Sequence, residues 1–207
     1  MVFAIHGAAV VALICNLLLF AMEVFAIRIQ IRDLGWAGLR FYTILSNDLA
    51  LLASGVYLVS AFFPTVALSS AAVLLRYIAT CMLTLTFLIV LFVLAPLDKK
   101  AGRDPKWNFV GGSTPVHHVF APIVSFVSFV FFEPNASLRI SYVWVVMGIT
   151  LVYSLIILIL NIKRVLVGPY AFFHVYEQPI WASAIWFLAI GALSYLLDFG
   201  ICRAGML

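Results

Sequence analysis

The stretch from Leu68 to Leu94, "LSSAAVLLRYIATCMLTLTFLIVLFVL", decides the fold. Arg76 is its only formal charge, and a helix needs about 20 largely apolar residues to cross the ~30 Å of bilayer hydrocarbon. A membrane β-barrel would instead show alternating segments of about ten residues, so a barrel is excluded. Working outward, five further runs have the same character: Val2 to Ile27, Leu39 to Phe63, Pro115 to Phe132, Leu138 to Asn161 and Pro179 to Ile201. Of 207 residues, 66% are hydrophobic and 10% charged, whereas a soluble domain carries about 25% charged residues to coat its surface. The expected architecture is all-α: a polytopic membrane protein, one domain over residues 1–207, with six transmembrane helices around a polar internal cavity.

The net charge of +4 is spread over groups that cluster between the apolar runs. That places them at headgroup level and argues against nucleic-acid binding. The first run has no Lys or Arg before it and exceeds the ~7–15 residues of a signal-peptide core, so it is expected to be retained as a span. Nine of the 12 basic residues (Arg28, Arg32, Arg40, Lys99, Lys100, Arg103, Lys106, Lys163, Arg164) fall on the odd-numbered connections; Arg76, Arg139 and Arg203 fall on the other side. Positive charge prefers the cytoplasm, which predicts cytoplasmic odd loops and outward termini. Cys15, Cys81 and Cys202 form no CxxC pattern, so neither a disulfide framework nor a zinc site is expected.

Polar groups in hydrocarbon need partners, and an ionisable residue there is a functional hypothesis by default. Arg40, Thr43 and Asn47 fall on one helical face, as do Arg76, Thr80 and Thr84, and again Thr150, Tyr153, Ser154 and Asn161. The fourth span opens "STPVHHVFAP", with adjacent His117 and His118. The expectation is that four helices point these stripes into one shared cavity. Plainer readings stand beside it: Thr80, Thr84, Thr86 and Thr150 can bond back to their own helix, Arg40, Arg76 and Arg139 can snorkel, and Ala4, Ala8 and Ala12 suit close helix packing. For the histidine pair, catalysis and structural hydrogen bonding stay open; neighbours on a helix project about 100° apart, so one at most readily faces a given point. Haem would need histidines on two facing helices, and only His6 and His174 remain; a metal lacks a carboxylate at helical spacing from the pair. No cofactor and no metal are expected.

A hydroxyl beside an imidazole makes a nucleophile, because the histidine takes the proton during attack on an ester carbonyl. Thr43 opens the second span and His117 and His118 the fourth, and even-numbered spans run in parallel, so the three can share a depth. Asn47 is placed to donate to an oxyanion and Arg40 to hold a carboxylate, with Arg76, Thr80 and Tyr153 as further substrate contacts.

The runs "LRFYTILSNDLALL" from Leu39, "LLRYIATCMLTLTFLIVLFVLAP" from Leu74, "VHHVFAPIVSFVSFVFFEP" from Val116 and "GPYAFFHVYEQP" from Gly168 resemble the androgen-induced integral-membrane family, in the same order and over nearly the whole chain. Its animal members are intramembrane threonine hydrolases of fatty acid esters of hydroxy fatty acids, and the wording here is similar to its bacterial branch. The resemblance implies Thr43 as nucleophile. Counted back from Pro122, the animal pattern of the histidine falls on His117 and the bacterial one on His118. Asp48 departs from the apolar residue the pattern has after Asn47. The implied partners are a lipid or fatty-acid ester substrate and the membrane lipids of a bacterial plasma membrane. The competing reading is a small transporter or binding protein for an amphipathic solute, with Glu23, Asp48 and Arg76 marking its path. The "GPYAFFHVYEQP" segment, broken by Gly168, Pro169 and Pro179, is expected to be partly re-entrant or interfacial, with Tyr170 and His174 packed on the bundle.

Overall fold

The computed structural model describes residues 2–133 and 135–207, with side chains from Gly7 onward; the side chains of Ala4 and His6 lie outside the described residues. Backbone amides find no partner in hydrocarbon, so each span has to close its own hydrogen bonds as a helix. Six long helices do so among the described residues: α1 Val2–Leu34, α2 Tyr42–Phe62, α3 Val66–Lys100, α4 Val116–Phe131, α5 Tyr142–Ile162 and α6 Ile180–Gly205. No strand occurs among these residues. All but α4 are long and apolar enough to cross a membrane, and the chain is an all-α polytopic integral membrane protein.

The fourth helix lies where the fourth span was expected and is shorter than the other five. It is helical from Thr114 through Phe131, close to the expected bounds, and consists mainly of a five-residue π turn followed by eleven α-helical residues. It stops because Phe132 leaves helical geometry (φ −130°) and Glu133 turns back into the bundle to meet Arg76. The second span starts later than expected. Gly35–Arg40 forms a 3-10 turn, opened by Gly35 at φ +53°, and Phe41 is extended, so α2 begins only at Tyr42.

Two π turns share one cause. Val90–Leu94 in α3 is followed by Ala95 and Pro96, and Val116–Phe120 in α4 by Ala121 and Pro122. Proline has no N–H to give and its ring crowds the preceding turn, so the helix widens there rather than breaking.

Helix α3 is central, packing against α2, α4, α5 and α6, while α1 lies against α2 and α4. Its most apolar window is 61% buried, against 6% for α6. Between lipid-soluble helices close approach matters more than hydrophobic drive, and Ala50, Ala53, Ala79 and Ala121 are fully buried at these contacts. Gly55 admits the Phe20 ring, which a Cβ would meet at 3.2 Å. Outward faces carry Ile14, Leu17 and Phe25 on α1, Val152 and Ile156 on α5, and Leu188 and Leu196 on α6, all exposed. Asn16, Glu23, Asn47, Arg76 and Asp198 are wholly buried. Apolar outside and polar inside is the arrangement a bilayer requires.

Candidate functional site

The start of α2 has no cap of its own, because Phe41 precedes it and offers no side-chain acceptor. Its first free N–H groups are met by tyrosines from distant parts of the chain. The Tyr42 N–H donates to the Tyr153 hydroxyl at 3.0 Å, which itself donates to the Arg40 carbonyl at 2.8 Å. The Thr43 N–H donates to the Tyr170 hydroxyl, and that same hydroxyl lies 3.3 Å from Thr43 Oγ1. Thr43 is thus buried at a helix N-terminus, with its side-chain oxygen facing a phenol.

Thr43, Tyr170 and Leu94 line two cavities at once. One, of about 400 Å³, is the more polar and is bordered by His117, His118, Asp98, Arg103 and His174. The other is a narrow apolar slot of about 60 Å³ running between α3, α5 and α6, past Leu85, Ile89, Leu158 and Trp186. A group bound at Thr43 therefore has a wet side and an oily side.

Both histidines reach the polar cavity, where regular helical geometry allowed for one. The π turn that contains them accounts for the difference, since its wider winding reduces the angle between successive side chains. Their environments differ. His118 Nδ1 lies 2.6 Å from the Asn108 carbonyl oxygen, which can only accept, so Nδ1 carries the hydrogen and Nε2 the lone pair. His117 is 3% exposed and its Nε2, which has no hydrogen bond, lies 3.9 Å from Glu23 Oε2.

The expected site is divided by the structure. Arg40 sits in the 3-10 turn, exposed, with its guanidinium over the Phe41 ring (5.0 Å), because the extended Phe41 breaks the helical register between Arg40 and Thr43. Arg103 is the cation that borders the polar cavity instead. Asn47 is buried below Thr43, where Nδ2 donates to the Thr43 carbonyl of its own helix (2.7 Å) and to the His117 carbonyl (3.4 Å), the second bond clipping α2 to α4. Arg76 and Thr80 belong to a separate polar cluster. Arg76 is fully buried and pairs with Glu133 at 2.9 Å, Ser125 accepts from its Nη1 at 3.1 Å, and Thr80 bonds Ser125 at 2.8 Å. Asn16 joins through Glu133 at 2.9 Å. Thr150 bonds the Tyr42 hydroxyl at 2.8 Å, while Tyr153 and Ser154 border the apolar slot. One shared cavity for all four stripes is therefore corrected to a cavity, a slot and a locked ion pair. Among the described residues no three His, Cys, Asp or Glu side chains come together as a metal would need.

Sequence reading did not assign Tyr170 to the chemistry. Its segment folds back onto the bundle through Tyr170, whose hydroxyl meets Thr43, and through Phe172, whose ring lies 5.8 Å from that of Trp186 on α6; His174, expected to pack on the bundle, bonds within the segment instead, its Nε2 donating to the Gly168 carbonyl at 2.9 Å. Gly168 is obligatory there, since a Cβ would fall 2.5 Å from Phe173 Cβ. The Gly-Pro-Tyr run was the available signal. Compared with protein families, curated proteins and solved structures, the chain matches none.

Proposed function

We propose that this protein is an intramembrane hydrolase of lipid esters, of the class of fatty acid esters of hydroxy fatty acids, with Thr43 as nucleophile and His118 as general base. The observation that carries the reading is the position of Thr43 on the wall shared by a polar cavity holding two histidines and an apolar slot. The slot takes the first carbons of an acyl chain next to the ester, and the polar end of the ester takes the cavity beside Arg103. The resemblance to the androgen-induced family points to the same two residue types.

In the reaction, Thr43 Oγ1 bonds to the ester carbonyl carbon and its proton passes to His118 Nε2, the nitrogen left with a lone pair by the Asn108 carbonyl. The electron pair moves to the carbonyl oxygen, where the Tyr170 hydroxyl and the positive end of α2 stabilise it. The leaving alkoxide takes the proton from His118, and water then releases the acid from Thr43 by the same steps. Supply of water fits an opening on the cytoplasmic side, with odd loops inside, α4 as a sixth crossing and a bacterial plasma membrane as host.

Purified protein in detergent is expected to hydrolyse a branched fatty-acid ester and to be labelled at Thr43 by a fluorophosphonate. Absence of both turnover and labelling would overturn the reading in favour of an amphipathic-solute transporter.

A further inference from the structure

Three buried side chains around the start of α4 keep polar atoms without hydrogen bonds: both carboxyl oxygens of Glu23, Oδ1 of Asn47 and Nε2 of His117. Glu23 projects from the middle of α1 with no exposure at all. A carboxylate buried alone is among the costliest groups a protein can hold, and it is tolerated when a proton or a cationic partner neutralises it. The group it faces is the His117 ring, 3.9 Å away and itself unbonded at that nitrogen. An approach of about 1 Å would bring the two groups to hydrogen-bond distance. Asn47 on α2 donates to the His117 backbone carbonyl, while the ring's Nε2 lies toward Glu23 on α1.

We propose that Glu23 is the positioning residue for His117: carboxyl and imidazole share one proton, which turns His117 into a hydrogen-bond donor at the wall of the Thr43 cavity and leaves His118 as the base. This rests on the hydrolase reading above and divides the work of the histidine pair. The shared proton stays on the Glu23–His117 pair through the cycle. The proton that moves is the one from Thr43, which goes to His118 and then to the leaving oxygen, so charge and atoms balance without a further reactant. With Nε2 turned to Glu23, the nitrogen left for the cavity is Nδ1. The other charged or titratable groups around the pair are Asp48 on α2, His118 on α4, and Asp98, Arg103, Tyr170 and His174 across the cavity.

The test uses the full chain in detergent micelles with 15N-labelled histidine rings. His117 signals are assigned by their loss in H117N. At constant pH the wild-type Nε2 signal is expected to show the intermediate shift of a shared proton, and E23Q to return it to that of an ordinary neutral ring, with His118 and His174 unmoved. In the same preparations E23Q is expected to lower kcat by about tenfold or more with KM unchanged, as loss of a histidine-orienting partner does, and E23D to recover part of it. An E23Q ring signal identical to wild type overturns the proposal whether or not any ester turns over. A changed signal with unchanged kcat overturns the positioning role. Should wild type hydrolyse nothing, the hydrolase reading fails while the ring signals still decide the shared proton. If E23Q does not fold, E23D is read in its place, with the shared-proton shift reduced as the carboxyl withdraws by one methylene.

Discussion

The Tyr170 hydroxyl lies 3.3 Å from both the backbone nitrogen and the side-chain oxygen of Thr43, across 127 residues of sequence. One phenol thus completes the first turn of α2 and faces the oxygen proposed to attack the ester.

That double role separates two tyrosines. Tyr170→Phe keeps the stack on Phe172 and removes the hydroxyl, and is expected to lower kcat about 10²-fold, the size of losing one oxyanion donor. Tyr153→Phe loses two capping bonds and is expected to cost about 1 kcal/mol per bond in stability while leaving kcat within a fewfold. Ester turnover and thermal unfolding of the same samples check both; equal kcat losses would show that Tyr170 acts only as a cap.

Thr43→Ala is expected to abolish turnover and fluorophosphonate labelling with a nearly unchanged unfolding midpoint, since a small hydroxyl contributes little to bundle stability. Thr43→Ser should retain activity. Wild-type rates in Thr43→Ala would remove the nucleophile assignment.

His118→Ala is expected to cost about 10²–10⁴-fold in kcat, the range for a general base. Asn108 contributes through its backbone carbonyl, so Asn108→Ala should be far milder. A His118 variant as active as wild type would move the base elsewhere.

The Arg76–Glu133 pair predicts a stability effect apart from chemistry. Breaking a buried ion pair from one side costs about 3–5 kcal/mol, whereas replacing both partners by apolar residues is often near neutral. Arg76→Met should lower the unfolding midpoint strongly, and Arg76→Met with Glu133→Leu should recover most of it. Denaturation in detergent followed by circular dichroism measures this, and additive losses in the double variant would contradict it.

Gly168→Ala places a Cβ 2.5 Å from Phe173 Cβ. The segment has to shift and carry Tyr170 away from Thr43, so activity is expected to fall with helix content preserved. Full activity would mean that the Tyr170 contact is dispensable.

Parts of the site were legible in the chain and parts were not. Thr43 and the histidine pair could be placed at one depth because even-numbered helices start on the same side, and all three border the polar cavity. Arg40 was misplaced because a helical wheel assumes unbroken geometry, and the turn at Gly35–Arg40 with extended Phe41 breaks it. Both histidines were not expected at one cavity because the π turn ahead of Pro122 changes the winding.

What the sequence by itself determined is the membrane location and the helical class. Hydropathy adds up locally along the chain, and in hydrocarbon only self-satisfied helices suit such runs. The tertiary structure alone decided which polar groups meet. Arg76 finds Glu133 across 57 residues, and Thr43 finds Tyr170 across 127, through the rotation and depth of packed helices. Those depend on small residues at the contacts and on π turns ahead of two prolines, which shift side chains without changing how apolar a segment reads.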